Sequence, residues 1–377
     1  MKKTEIEEKV RANVPLNFEE GVFLFQQNDL PWLGNLAFET KKKKSGNKVF
    51  YVRNQHINYS NVCKNSCKFC AFGQDKQSNK SFQLDINEIL EKAKWLKKIS
   101  GCEFHIVGGL HPHLPFEFYI QLLQSLKKHF PLVKIKAFSA AEIEFFATKF
   151  SMSIEKVLQK LMAAGLETIP GGGAEIFNTE IRNKLCPEKL TAESWLNVHR
   201  VAHQLGMKTT CTLLYGHIEK IEHRVEHMLQ LRTLQTETGG FSAFIPLAFI
   251  PNNTALSNIT RASGITDLKM VAIGRLFLHN IEHIKTYWIV MGKQVAQLAL
   301  FYGADCFDGT IGSEKIMHMA GQDEGCFLST KGICEIIEEA GLIAVERDTN
   351  YDEIQSISPE GVSRMADPGI FEKKYSL

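Results

Sequence analysis

No run of apolar residues in this sequence approaches the ~20 that a membrane-spanning helix needs, and the opening Met1-Lys-Lys-Thr-Glu-Ile-Glu-Glu lacks the apolar centre of a signal peptide. The chain is therefore expected in the cytoplasm, with no membrane function. Neither sign of charge is in excess: 44 Lys and Arg against 42 Asp and Glu leave a formal +2, so no nucleic-acid partner is expected. The most basic run, Lys41 to Lys44, follows a short apolar segment and reads as a solvated helix end. A second tight group of cysteines is also missing. Six of the nine (102, 186, 211, 306, 326 and 334) are scattered, and the odd total fits a reducing compartment rather than a disulfide framework. The run Gly171-Gly-Gly173 is followed by no Gly-Lys-Ser/Thr, which excludes a P-loop.

The remaining three cysteines stand together in Asn61-Val-Cys-Lys-Asn-Ser-Cys-Lys-Phe-Cys-Ala-Phe72, a C-x3-C-x2-C spacing that brings Cys63, Cys67 and Cys70 onto one short loop. Thiolate is the ligand that iron–sulfur clusters require, and three ligands leave one metal position open for chemistry. The spacing also admits a structural zinc site closed by a fourth ligand such as His56, on a non-enzymatic scaffold.

Hydrophobic residues make up 44% of the 377, ample for a core. Residues 1–49 read as a helical extension: Asn17 and Glu20 form a capping box, and Pro31 suits the start of a second helix. From residue 50 to 350, β-branched apolar runs alternate with amphipathic helical patterns. Strands are expected near 52–59, 103–108, 133–139, 166–170, 208–215, 241–249, 284–291 and 304–308. Helices fit between them: Asp85 caps 86–99, Ser153 opens 154–164, Thr191 opens 192–205, Thr266 opens a helix to 280, and 293–301 and 330–340 supply two more. Eight βα units predict an α/β fold, a (βα)8 TIM-type barrel, with 351–377 as a C-terminal tail. In such a barrel the strand C-termini carry the reactive face. Those ends hold the cysteine loop, Gly108-Gly109 with His111, Ser139 and Glu142, the 171–173 glycines with Glu175, and Tyr215-Gly-His217. The histidine pairs 199/203 and 223/227 lack the Glu of H-E-x-x-H and read as ordinary helix faces.

A three-cysteine loop directly after a first barrel strand, with Phe69 before the third cysteine, resembles the radical S-adenosylmethionine (SAM) superfamily. That resemblance implies a 4Fe-4S cluster on Cys63, Cys67 and Cys70, with SAM on the fourth iron. Cofactor contacts would then come from Phe69, Gly108, Gly109, Ser139, Glu142 and Glu175. The family's Gly-Gly element often continues with Glu, where this chain has Leu110. Further segments, among them His105-Ile-Val-Gly-Gly-Leu-His-Pro112, Pro170-Gly-Gly-Gly-Ala-Glu-Ile-Phe177, Leu214-Tyr-Gly-His-Ile-Glu219 and Phe244-Ile-Pro-Leu-Ala-Phe249, resemble the aminodeoxyfutalosine synthase family of menaquinone biosynthesis. Its relatives, the dehypoxanthine futalosine cyclase and the FO synthase subunits, share the cysteine loop.

The resemblance implies a transferase that adds the 5'-deoxyadenosyl radical to 3-[(1-carboxyvinyl)oxy]benzoate, giving 6-amino-6-deoxyfutalosine, and that takes its electron from a donor such as flavodoxin or ferredoxin. Such chemistry asks for a dry pocket and for no oxidisable group beside the radical, which places Cys211 and Tyr215 under scrutiny. The acceptor's two carboxylates call for cations or exposed amides, and His111, Gly172, Tyr215 and His217 are the candidate substrate contacts, with Arg53 behind them.

Overall fold

A computed structural model describes residues 2–312, 314–321, 325 and 327–354. In chain order its elements are α1 (Lys3–Arg11), α2 (Phe18–Gln26), α3 (Leu30–Ser45), β1 (Lys48–Val52), β2 (Asn54–Ile57), α4 (Ile86–Lys98), β3 (Glu103–Ile106) and α5 (Phe116–His129). There follow β4 (Lys134–Ala137), α6 (Ala140–Lys149), α7 (Ile154–Ala164), α8 (Thr179–Leu185), α9 (Ala192–Gln204), β5 (Thr209–Tyr215), α10 (Ile221–Thr238) and β6 (Phe241–Ala248). The last are α11 (Gly264–Phe277), β7 (His283–Ile284), α12 (Trp288–Met291), α13 (Lys293–Ala299), β8 (Cys306–Gly309), α14 (Ile316–Met319), α15 (Thr330–Glu339) and β9 (Ile343–Glu346).

Every strand pairing is parallel. The ladders form three groups, β8-β1-β9, β2-β3-β4 and β5-β6-β7; a single bridge from Lys285 to Cys306 joins the third to the first, and one from Lys136 to Thr168 adds the 166–170 stretch beside β4. Helices cover the outside, as parallel strands buried on both faces require. The result is an α/β barrel whose strand C-termini share one rim.

Local sequence explains most boundaries. The Asn17 side chain accepts the Glu20 N–H while Glu20 accepts the Asn17 N–H, both at 2.8 Å, a reciprocal cap that contributes about 1 kcal/mol. Asp85 and Glu88 cap α4 in the same reciprocal way, Ser153 and Thr191 cap α7 and α9 by accepting the N–H groups of Lys156 and Ser194, and Gly165 ends α7 in the left-handed region with φ 116°. Trp288 is wholly buried and donates its indole N–H to the Gly309 carbonyl at 2.9 Å; truncating it to Ala would cost about 3–5 kcal/mol.

Four expectations need correction. The first strand is broken at Arg53, whose carbonyl turns to accept Cys102 N–H while its guanidinium binds Glu346. The stretch 166–170 makes one bridge rather than a ladder, because Pro170 has no N–H and Glu167 and Thr168 both donate to the Ile135 carbonyl. Of 284–291 only Ile284 lies in a strand, paired with His283 before it as β7, and the apolar end coils as α12. The cap of α11 is Ser263, whose hydroxyl accepts the N–H of Thr266. Ile343–Glu346 adds an unforeseen strand, β9, beside β1. The tail expected at 351–377 lies outside the described residues from 355 on. Among the described residues no helix is long and apolar enough to cross a membrane.

Candidate active site

The cysteine loop leaves β2 and is stapled at its base. Asn61 accepts the Phe82 N–H at 2.7 Å and donates to the Lys80 carbonyl at 2.9 Å, while Ser60 donates to the Phe82 carbonyl at 2.8 Å. Lys64 N–H reaches the Leu110 carbonyl at 3.0 Å and Lys68 N–H the Leu185 carbonyl at 2.8 Å, so both neighbouring rim loops hold the cysteines in place. Backbone donors point at two sulfurs: Leu110 N–H at Cys63 Sγ (3.4 Å) and Gly73 N–H at Cys70 Sγ (3.3 Å). Burial pushes the Cys63 and Cys70 thiols up, and Cys67 is raised by its contact with the Cys186 thiol and by burial. Metal binding must therefore drive the protons off. Among the described residues no three His, Cys, Asp or Glu side chains already converge as ligands to one ion; the loop presents three thiols on one cavity wall.

That cavity has a volume of about 540 Å³ and opens along the rim. Cys63, Cys67, Cys70 and Phe69 line it, as do Gly108 and Gly109. Ser139, Glu142, Gly172 and Glu175 complete the predicted residues that it gathers. The Gly-Gly pair has a packing reason to be glycine. A Cβ on Gly108 would stand 2.5 Å from the Tyr59 ring, and one on Gly109 2.3 Å from the Val62 carbonyl oxygen. Both N–H groups are spent inside the protein, on Glu142 and on the Ser60 carbonyl. Glu142 accepts four hydrogen bonds, from Tyr59 Oη, Gly108 N–H, Ser139 N–H and Ser139 Oγ, at 2.7–3.1 Å. It caps α6 and ties the ends of two strands together. Burial, working against those donors, holds its carboxyl up at about 7.

Glu175 pairs with Lys189 at 2.5 Å, and the Lys189 ammonium lies over the Phe69 ring at 5.2 Å. Burial opposes both charges, yet the pair outweighs it: Glu175 is held low and Lys189 high. A buried cation thus stands beside the cysteine loop.

Three predicted substrate contacts lie off the cavity. His111 Nδ1 accepts the N–H groups of His113 and Leu114 at 3.2 Å and fixes its own turn. Both nitrogens of His217 face its own loop, at Glu219 and the Leu214 carbonyl. Tyr215 donates to Asp267 at 2.6 Å. On β5 the pleat turns Thr210, Thr212 and Leu214 inward to line the cavity, which sends Cys211, Leu213 and Tyr215 to the helix layer. Arg53 is also elsewhere, bound to Glu346 and the Ile99 carbonyl.

In their place the cavity wall carries polar side chains from inside the barrel: His56, His105, Lys136, Lys285, Asp308 and Glu314, with Tyr287 beside them. The sequence offers His56 as a zinc ligand and puts Asp308 at a strand end on the rim, but it assigns no binding role to the others. A signal was present, since Lys136 and Lys285 interrupt apolar strand runs where a buried face calls for Val or Ile.

Comparison with known proteins fits this arrangement. Residues 57–231 match the Radical SAM superfamily and residues 238–359 the CofH/MqnC C-terminal region. The chain belongs to the radical SAM superfamily and is an enzyme of that class, which sets aside the zinc scaffold; the family implies a 4Fe-4S cluster and SAM. Among curated relatives, it is 40% identical to the aminodeoxyfutalosine synthase of Streptomyces coelicolor over 97% of each chain. It is 41% identical to the Thermus thermophilus aminodeoxyfutalosine synthase, covering 93% of this chain and 95% of the relative. It is also 38% identical to the 5-amino-6-(D-ribitylamino)uracil--L-tyrosine 4-hydroxyphenyl transferase of Methanopyrus kandleri, over 85% and 88%. The fold is shared with methylornithine synthase PylB (TM-score 0.73, 21% identity, 90% of this chain and 97% of that one). It is shared too with the hydrogenase maturase HydG of Carboxydothermus hydrogenoformans (TM-score 0.71, 16% identity, 92% and 80%).

Proposed function

We propose that this enzyme joins the deoxyadenosyl group of SAM to 3-[(1-carboxyvinyl)oxy]benzoate and yields 6-amino-6-deoxyfutalosine for menaquinone biosynthesis. The observation that carries this reading is likeness over nearly the whole length to two aminodeoxyfutalosine synthases. When bound, the reduced cluster supplies the electron that splits SAM into methionine and the 5'-deoxyadenosyl radical. Cys63, Cys67 and Cys70 would hold that cluster: their thiols share one wall of the cavity, and those of Cys63 and Cys70 receive backbone N–H donors.

The chain's other residues shape the space. Gly108 and Gly109 let the end of β3 lie flat against the cysteine loop, and Glu142 locks that junction. Gly172 leaves its Cβ position open toward Ser139, 3.5 Å away, so the cavity stays wide at that point. Burial of the wall excludes water from a reactive radical, and the inward Thr210, Thr212 and Leu214 present no easily oxidised group. Glu175 and Lys189 would orient the polar end of SAM beside the loop.

The likeness to the 4-hydroxyphenyl transferase favours a second reading, in which the enzyme transfers a 4-hydroxyphenyl group and does not join the adenosyl group to its acceptor. Product analysis after anaerobic reconstitution and reduction separates them. An adenosyl group retained in a product from 3-[(1-carboxyvinyl)oxy]benzoate supports the proposal. Free 5'-deoxyadenosine as the stoichiometric product sinks it.

A further inference from the structure

Barrels of this kind fill their interior with layers of branched apolar side chains. Here one layer is polar. The ladders set His56 opposite His105, and His105 opposite Lys136, across three neighbouring strands, and all three side chains line the cavity below the cysteine loop. Lys285 and Asp308 close the layer from the other wall.

The charges in this layer do not balance. Lys136, 2% exposed, reaches Glu103 at 3.3 Å, and Lys285, 4% exposed, reaches Asp308 at 2.7 Å. Glu103 is shared with Arg347 at 3.9 Å and accepts the Thr349 hydroxyl at 2.7 Å. Three cations therefore face two carboxylates, and each lysine has one carboxylate partner for an ammonium with three donors. The histidines add no charge, since burial holds the imidazole of His56 down at about 4 and that of His105 well below its ordinary value. Glu314, the remaining acid on this wall, is held up to about 7 by burial and gives its oxygens to the N–H groups of Ile316 and Met317. His56 Nε2 is buried and has no partner in the protein. An uncompensated positive charge and an orphaned ring nitrogen in one dry layer are costly unless an anion completes them.

We propose that Lys136 and Lys285, with His56 Nε2 beside them, form a carboxylate subsite at the inner end of the cavity. It holds the ring carboxylate of an aryl acid and points the rest of the acceptor up toward the cysteine loop. The identity of that acid rests on the function proposed above. The subsite itself rests on the layer's charge and register. A carboxylate between two ammonium groups gains charge-assisted bonds to both and neutralises the layer.

The test is calorimetry on the full-length, anaerobically reconstituted enzyme with SAM, with 3-methoxybenzoate and its uncharged counterpart 3-methoxybenzamide as probes. Wild type is expected to prefer the acid by about tenfold or more. Lys136→Gln and Lys285→Gln should each weaken acid binding by about 10- to 100-fold and leave the amide within about twofold. Because Lys285→Gln strands the buried Asp308 carboxylate, Lys285→Met/Asp308→Asn removes that whole pair, and Asn tolerates the left-handed backbone at position 308 (φ 71°). If a single variant fails to fold or to retain iron, this double variant decides. Acid preference undiminished in the double variant, or absent from wild type, overturns the subsite. A wild type that selects the acid but releases free 5'-deoxyadenosine would instead overturn the functional reading and leave the subsite standing.

Discussion

Replacing Gly109 with alanine puts the contact between β3 and the cysteine loop to a quantitative test. An ideal Cβ at this position would stand 2.3 Å from the Val62 carbonyl oxygen and 2.8 Å from its carbon. Both are backbone atoms of the residue just before Cys63, so no side-chain rotation relieves the clash. Restoring ordinary contact requires the loop to move by on the order of 1 Å. That movement stretches the Lys64 N–H bond to the Leu110 carbonyl (3.0 Å) and the Leu110 N–H bond to Cys63 Sγ (3.4 Å). Overpacking of this kind costs about 1–3 kcal/mol, and it falls on the cluster ligands. Urea unfolding should show that loss, and gel filtration after reconstitution should show iron lost from the variant. Gly172→Ala is the control: its Cβ would meet Ser139 Cβ at 3.5 Å, an ordinary contact, so stability should stay within about 0.5 kcal/mol. If Gly109→Ala unfolds at the same urea concentration as wild type and keeps its iron, glycine is not required there for packing, and the account of the rim is wrong.

Three other outcomes are expected. Cys63→Ala, Cys67→Ala or Cys70→Ala should abolish deoxyadenosyl radical formation, measured as SAM-derived product, and full turnover in any of them contradicts the ligand set. His227 is fully buried with Nε2 at 2.9 Å from the Thr212 carbonyl, and burial holds its imidazole down at about 3. Below the ordinary 6.5 the unfolded chain takes up a proton that the native state refuses, so stability falls as pH drops from about 6.5 toward 3. At pH 5 the loss from this residue is about 2 kcal/mol, and His227→Gln should remove that share of the difference between unfolding curves at pH 5 and 7. Tyr215→Phe should lower stability by about 1–3 kcal/mol, because it strips the buried Asp267 of its 2.6 Å partner, without moving the acceptor KM.

The barrel was legible because its signals are local: a capping residue, a stop glycine and a β-branched run each act within a few positions, as at Asn17, Gly165 and Thr209–Tyr215. The cysteine loop was legible because its chemistry is written in spacing. What failed depended on facing. His111, Tyr215 and His217 stand at the expected rim, yet the pleat and their own hydrogen bonds turn them from the cavity. The inner layer of His56, His105, Lys136 and Lys285 emerges only when four strands are placed in register, which no single stretch of sequence encodes. The strand β9 escaped for a similar reason: its partner lies at the opposite end of the chain.

That last pairing bears on how the protein is made. β1 bonds to β8 along one edge, with Phe50 facing Cys306, and to β9 along the other, with Lys48 facing Ile343. At synthesis rates of about 5–20 residues per second, both edges of this apolar strand wait on the order of tens of seconds before either partner leaves the ribosome. Exposed edges of that kind recruit strands from other chains. A chaperone that shelters Lys48–Val52 during translation should therefore raise the soluble yield more than one acting on the finished chain.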